Sequence, residues 1–254
     1  MIIDSHAHIY YDSFNNDLQE VLDRALDSGV KKIICVGVDL ESSTKCINLA
    51  HKFDNIYATV GFHPHESNLA EKNYLKILES MAQDLKVVAI GEIGLDYYYN
   101  HSEQGTQEKV FLEQLELARS ISLPAVVHSR NADKETIKII SKVPKSVGVV
   151  HCFASNLEQA LKVIELDYYI SFTGLITFVP ELANVVKNIS LDNMLIETDS
   201  PYLSPTPFRG KRNEPSNIVE IVKKISEIKN ISLSDVENIT SKNTLSLFQR
   251  IVND

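Results

Sequence analysis

MIIDSHAHIY, residues Met1–Tyr10, runs from an apolar stretch through Asp4 to two histidines one residue apart, His6 and His8. On an extended chain residues i and i+2 share a face, with Cα atoms about 6.5–7 Å apart. Two imidazoles placed that way can converge on one metal ion, or can stand solvated at a strand end. The pair alone leaves both readings open. What decides between them is whether the rest of the chain repeats the pattern of an apolar run that closes on polar, metal-capable residues.

It does. Eight short runs are continuous in apolar character: Ile2–Asp4, Lys32–Val38, Ile56–Gly61, Val87–Gly91, Pro124–His128, Val147–His151, Tyr168–Phe172 and Met194–Glu197. Continuous rather than alternating runs suit parallel strands covered on both faces. Amphipathic helical patterns fill the gaps. The first has Leu18, Val21, Leu22, Ala25 and Leu26 at helical spacing, with Gly29 where a helix-ending glycine belongs. Near the C-terminus Ser232 and Asp235 fit a capping pattern before a last helix. Eight strands alternating with helices predict an α/β (β/α)8 TIM barrel, with residues 1–254 as one domain. A doubly wound open sheet is the alternative, because periodicity says nothing about closure.

In such barrels active sites lie at the C-terminal ends of the strands. Run one ends in His6 and His8, run three in His63 and His65, run four in Glu92, run five in His128 and Arg130, run six in His151, and run eight in Glu197 and Asp199. Six of the eight histidines fall at these ends, which random surface placement would not produce. Buried imidazoles and carboxylates without partners are costly, and cations would neutralise them. Four histidines with Glu92 and Asp199 exceed one tetrahedral site, so two ions are expected, about 3.5–4 Å apart in two-metal hydrolases. Glu92, from a middle strand, is the expected bridge. His6, His8 and Asp199 are assigned to one ion, and His128 and His151 to the other. Asp199 also suits orienting or deprotonating the water, which makes Asp199 and Glu92 the catalytic candidates.

Substrate contacts are expected from His63, Arg130 and Arg209, the last within a basic cluster with Lys211 and Arg212. Barrels often bind phosphate near the loops after strands seven and eight. Structural alternatives stand beside these: His63 and His65 flank Pro64 in a turn, Arg130 can serve an ion pair, and loop charges are usually solvated. Tyr97–Tyr99 either wall the pocket or cover a loop. Glu197 and Asp4 share strand parity with Asp199 and His6 and can support them. Cys152 follows His151, so strand alternation turns its side chain away from the site.

Three cysteines without a C-x-x-C pair argue against a disulfide framework, and Cys35 and Cys46 read as small core residues. No segment has the basic and apolar regions of a signal peptide, and no apolar run reaches a membrane span, so a cytoplasmic protein is expected. A net charge of −9 offers no long-range attraction to nucleic acid, so a polyanionic substrate needs local cations.

The motifs IIDSHAHI, VGFHPH, AIGEIGLDYY, PAVVHSR, VVHCF, ETDSPYLSP and NTLSLF occur in order across nearly the whole chain. In them the chain resembles the TatD family of metal-dependent deoxyribonucleases, within the amidohydrolase-like barrels. Matched residue by residue, the family's metal ligands fall on His6, His8, Glu92, His128, His151 and Asp199, the set already chosen from placement. The chain departs from the family at Tyr10, where Asp or Asn is usual, and at Ala154-Ser155, where Ser-Gly is common. The resemblance implies hydrolysis of DNA phosphodiesters, typically exonucleolytic from the 3′ end, with DNA as partner in single-stranded form or at 3′ ends. Imidazole ligands suit Zn, Mn, Fe or Ni, whereas nucleases often use Mg, so two divalent ions of unassigned identity are expected. The rivals are an amidohydrolase-type enzyme on another ester or amide, and a non-catalytic metal-binding protein.

Overall fold

The eight apolar runs form eight parallel strands that pair in chain order in one sheet. In the computed structural model, which describes residues 1–252, they are β1 (Ile2–Ala7), β2 (Val30–Val36), β3 (Ile56–Val60), β4 (Val87–Asp96), β5 (Ala125–Arg130), β6 (Gly148–Val150), β7 (Tyr168–Phe172) and β8 (Met194–Ile196). Helices α1 (Leu18–Asp27), α2 (Leu40–Lys52), α3 (Tyr74–Met81), α4 (Gln104–Ser120), α5 (Asp133–Ser141), α6 (Leu157–Ile164) and α7 (Leu182–Asn188) connect successive strands. The last two, α8 (Ile218–Lys229) and α9 (Leu233–Leu247), follow β8.

Closure separates a barrel from an open sheet, and it lies just beyond β8. Asp199 N–H donates to His6 O at 2.9 Å, His8 N–H donates to Ser200 O at 2.7 Å, and Ala7 bridges Ser200 in parallel. Asp4 strengthens the seam, accepting from Thr198 N at 2.9 Å and Thr198 Oγ1 at 2.6 Å. The fold is a (β/α)8 barrel, and the open-sheet alternative falls away.

β1 and β4 run at least three residues past the ends of their apolar runs, and each has a register shift against its neighbour. Between Asp4↔Ile33 and Ala7↔Cys35 the register of β1 slips against β2. Between Ile90↔Ala125 and Ile93↔Val127, β4 slips against β5. An extra residue on one strand re-aims the side chains around it. His6 and Glu92 sit in these two irregularities.

Local signals set the connectors. Val21, Leu22 and Ala25 bury one face of α1, and Gly29, at φ +87°, closes its end with N–H to Leu26 O at 3.0 Å. Ser232 caps α9, accepting from Asp235 N at 3.1 Å. The barrel floor is plugged from the chain's end: Leu247, Phe248 and Ile251 pack with Ile34, Val36, Val126, Val149 and Leu195 inside the strands. Asn243 Nδ2 donates to Leu191 O at 2.9 Å and Met194 O at 2.8 Å, tying α9 to the start of β8. Asn243, Leu247 and Phe248 belong to the NTLSLF motif, which is therefore structural. Cys35 and Cys46 are buried in the core against each other. No helix among the described residues is long and apolar enough to cross a membrane.

Candidate metal centre

Six side chains converge at the C-terminal mouth of the barrel. His6 comes from β1 and His8 from the residue after its end, and their Nε2 atoms lie 3.1 Å apart. This is the convergence that i, i+2 spacing allows. Glu92 stands between two groups of imidazoles and turns a different oxygen to each. Its Oε2 faces His6 Nε2 at 3.4 Å and His8 Nε2 at 3.7 Å. Its Oε1 faces His128 Nδ1 at 2.9 Å and His151 Nε2 at 2.8 Å. Asp199 Oδ1 lies 3.4 Å from His8 Nε2 and 3.7 Å from His6 Nε2. His63 Nε2 also reaches Glu92 Oε1, at 3.4 Å.

The far sides of three of the four rings are held as well, whereas His6 Nδ1 is buried without a hydrogen-bond partner. Metal-bound imidazoles characteristically give their other nitrogen to a carboxylate or carbonyl, which fixes tautomer and orientation. Here His8 Nδ1 is 2.9 Å from Val36 O, His151 Nδ1 is 3.3 Å from Glu197 Oε1, and His128 Nε2 is 3.4 Å from Asp96 Oδ2. β2 offers no ligand side chain, yet its last residue supplies that carbonyl and the residue after it another, Gly37 O, which accepts from Glu92 N at 2.8 Å. Gly94 permits β4 and β5 to approach this closely: at φ +136°, a Cβ there would meet His128 O at 2.0 Å.

The charges make an incomplete set without cations. Burial alone would raise the pKa of Glu92, but the field of His151 and hydrogen bonds from His128 and His151 hold it well below the usual carboxylate range. Burial likewise opposes ionisation of Asp199, which His8 and His6 nevertheless hold low. On the imidazole side, burial disfavours charge, yet Glu92 and Glu197 push His151 well up. Burial drives His63 well down, leaving it neutral. The cluster therefore keeps its carboxylates ionised and recruits protons onto buried imidazoles. Divalent cations would replace those protons. Three trios of donor atoms lie close enough to share an ion: His6, His8 and Glu92; His6, His151 and Asp199; and His63, Glu92 and His128. All are N or O donors of the kind that bind such ions, so the residues fit divalent metal binding. The mouth above them is a cavity of about 710 Å³.

Other expected residues fall both inside and outside this mouth. Arg130 lines the cavity. Arg209 does not: its guanidinium lies 3.7 Å from the centre of the Phe178 ring and donates to Ser204 O at 2.8 Å. Arg212 is committed to Asp17, donating to its two oxygens at 2.8 and 2.6 Å. Arg209 and Arg212 are thus held by groups of their own and do not line this cavity. Cys152 corrects a second expectation. β6 ends at Val150, and Cys152 takes a left-handed φ of 46°, so strand alternation does not apply and the residue lines the cavity. Burial and the nearby Asp199 and Glu197 push its thiol well up, which keeps it protonated.

Asp96 was not singled out in the sequence. The signal was present: β4 runs through Glu92, Gly94 and Asp96 at period two, so a longer strand turns Asp96 to the Glu92 face. Besides His128 it takes His65 Nε2 at 2.8 Å, which settles His65 as a partner of Asp96. Glu197, suspected from parity, also accepts from Cys152 N at 2.7 Å.

Comparison with known proteins agrees with this geometry. Residues 3–249 match the family model described as TatD related DNase. The chain is 37% identical over 254 residues to the uncharacterized metal-dependent hydrolase YabD of Bacillus subtilis, covering 98% of this chain and 99% of that protein. Among solved structures, the TatD homolog YjjV of Escherichia coli superposes with a TM-score of 0.92 at 30% identity, covering 98% of each chain. A TatD family hydrolase from Entamoeba histolytica superposes with a TM-score of 0.90 at 29% identity, again covering 98% of each.

Proposed function

The chain belongs to the TatD-related DNase family, and on that premise we propose that it is a metal-dependent hydrolase that cleaves DNA phosphodiesters, working from the 3′ end of a single strand with two divalent ions. One observation carries the two-ion reading: the two oxygens of Glu92 face separate pairs of imidazole nitrogens, His6 with His8 and His128 with His151. His6, His8 and Asp199 would hold one ion, His128 and His151 the other, and Glu92 would bridge them. Bound there, the ions supply positive charge that polarises a phosphoryl group and acidifies water.

The chain's own groups do the rest. Asp199 is the most exposed of the carboxylates facing the ions, with 13% of its side chain accessible against 4% for Glu92. It is therefore the one that water in the cavity can reach, and it orients that water and takes its proton. His63, neutral and open to the mouth, meets a phosphoryl oxygen through Nε2. Arg130 offers the nearest guanidinium at the rim. Glu92, Asp96, Glu197 and Asp199 together would repel a phosphate unless cations offset them, which ties substrate binding to metal loading.

The test is hydrolysis of a 5′-labelled single strand, with duplex DNA, RNA, a phosphomonoester and an amide in parallel, across Mg, Mn, Zn and Ni. Stepwise shortening of the labelled strand from its 3′ end supports the reading. Internal fragments would overturn the exonucleolytic direction, and hydrolysis of the amide or monoester alone would overturn the nuclease assignment.

A further inference from the structure

We propose that two aromatic walls on opposite sides of the centre grip the nucleobases flanking the scissile phosphate, Tyr11 with Tyr202 on one side and Tyr99 with Arg130 on the other. The proposal rests on the nuclease reading above. All four residues line the cavity. Tyr11 and Tyr202 follow β1 and β8, whereas Tyr99 follows β4 and Arg130 ends β5. In a ring of eight strands these two seams are diametrically opposed, with the ligand cluster between them.

The tyrosines are presented to the opening, since Tyr99 and Tyr202 are each 51% exposed. They are also anchored. Tyr11 N–H donates to His8 O at 3.2 Å, and Tyr202 N–H donates to Asp199 O at 2.8 Å. Tyr99 N–H donates to Asp96 Oδ1 at 2.9 Å. Each tyrosine is therefore tied through its backbone to a residue of the centre or of its support, and its position relative to the ions is set before substrate arrives. The rings stand beside the imidazoles: Tyr11 and Tyr202 lie 5.7 and 6.4 Å from His8, and Tyr99 lies 5.6 Å from His65, centroid to centroid.

Arg130 completes the second wall. Its guanidinium lies 4.6 Å from the centre of the Tyr99 ring and 4.4 Å from that of Tyr98. No carboxylate pairs with it among the described residues. An exposed cation held against two aromatic rings, beside a site for a phosphate, can stack under a base or bond the phosphate's oxygens. Stacking on π-faces tolerates every base and demands that bases be unpaired. Walls on both sides of the ions thus select a single strand, and select it by its bases as well as by its backbone charge.

The experiment compares short single strands in which the nucleotide on one or the other side of the cleaved bond is normal or abasic, using the metal-loaded enzyme. Stacking on a base contributes about 1–3 kcal/mol, so removing the base on either side should lower kcat/KM about 5- to 150-fold. Tyr202→Ala and Tyr99→Ala should each cause a comparable loss on the normal strand. Each should cause no further loss on the one abasic strand that lacks its own base. Tyr202→Phe, which keeps the ring, should recover most of the loss. A phosphorothioate-linked trinucleotide carrying 2-aminopurine gives a readout apart from turnover, its fluorescence falling on binding to the wild-type enzyme and falling less in the alanine variants. Equal cleavage of normal and abasic strands overturns the walls while leaving the nuclease reading standing. So do alanine losses that persist undiminished on both abasic strands. A wild-type enzyme that cuts no strand with any metal overturns the nuclease reading and the walls with it.

Discussion

Replacing Asp96 with Asn should weaken one metal site and spare the other. Asp96 accepts Tyr98 N and Tyr99 N on Oδ1, both at 2.9 Å, and meets His65 Nε2 at 2.8 Å and His128 Nε2 at 3.4 Å on Oδ2. The amide keeps an oxygen for the two backbone donors, so the loop after β4 holds its shape. The substitution removes the negative charge that steadies His128 with Nδ1 turned to Glu92. Losing such a far-side partner typically costs 10–100-fold in metal affinity, or about 1.4–2.8 kcal/mol. The loss should fall on the ion held by His128 and His151. The ion held by His6, His8 and Asp199 does not depend on Asp96, since His8 is fixed by Val36 O instead. Calorimetric titration of metal-stripped protein against a competing chelator measures both sites. The expected result is one site unchanged and one weakened within that range, at unchanged Tm. Equal weakening of both sites, or of neither, would refute the division of ligands.

Three other expectations follow from the same geometry. Phe248→Ala, at a fully buried position in the barrel floor, should lower stability by about 3–5 kcal/mol in urea unfolding. Cys152→Ser should leave metal content per chain unchanged, because Cys152 belongs to none of the donor trios close enough to share an ion among the described residues; a matching loss of metal would make it a ligand. Glu214 is held below the usual carboxylate range by a hydrogen bond from Arg24 that outweighs its partial burial, and its side chain is 16% exposed. A depressed carboxylate stabilises the fold above its unfolded pKa and ceases to do so as pH falls through its folded pKa. Glu214→Gln should therefore cost about 1 kcal/mol at pH 7, with the difference shrinking below about pH 4.5 in paired unfolding curves.

The strand ends were legible because parallel strands buried on both faces leave continuous apolar runs, and a barrel gathers their C-terminal residues at one rim. His6, His8, Glu92, His128, His151 and Asp199 meet there, and His63 comes closer to Glu92 than a loop histidine needed to. Closure was not legible, since the bond from Asp199 N to His6 O joins residues at opposite ends of the chain. Asp96 was hidden because the apolar run ends at Gly91, whereas β4 continues past a bulge. Cys152 misled because alternation holds only while the strand lasts. The place of Arg212 was not legible because a cluster in sequence says nothing of distant partners: Asp17, which takes Arg212, lies in the connection before α1.

Metal content per chain in wild-type protein and Glu92→Gln, measured by elemental analysis after removal of loose metal, shows whether Glu92 joins two ions. An amide cannot supply the bridging charge. Two divalent ions are expected per wild-type chain, and at most one in a folded variant with no detectable hydrolysis. A single ion in the wild type, or two ions and full turnover in the variant, would contradict it.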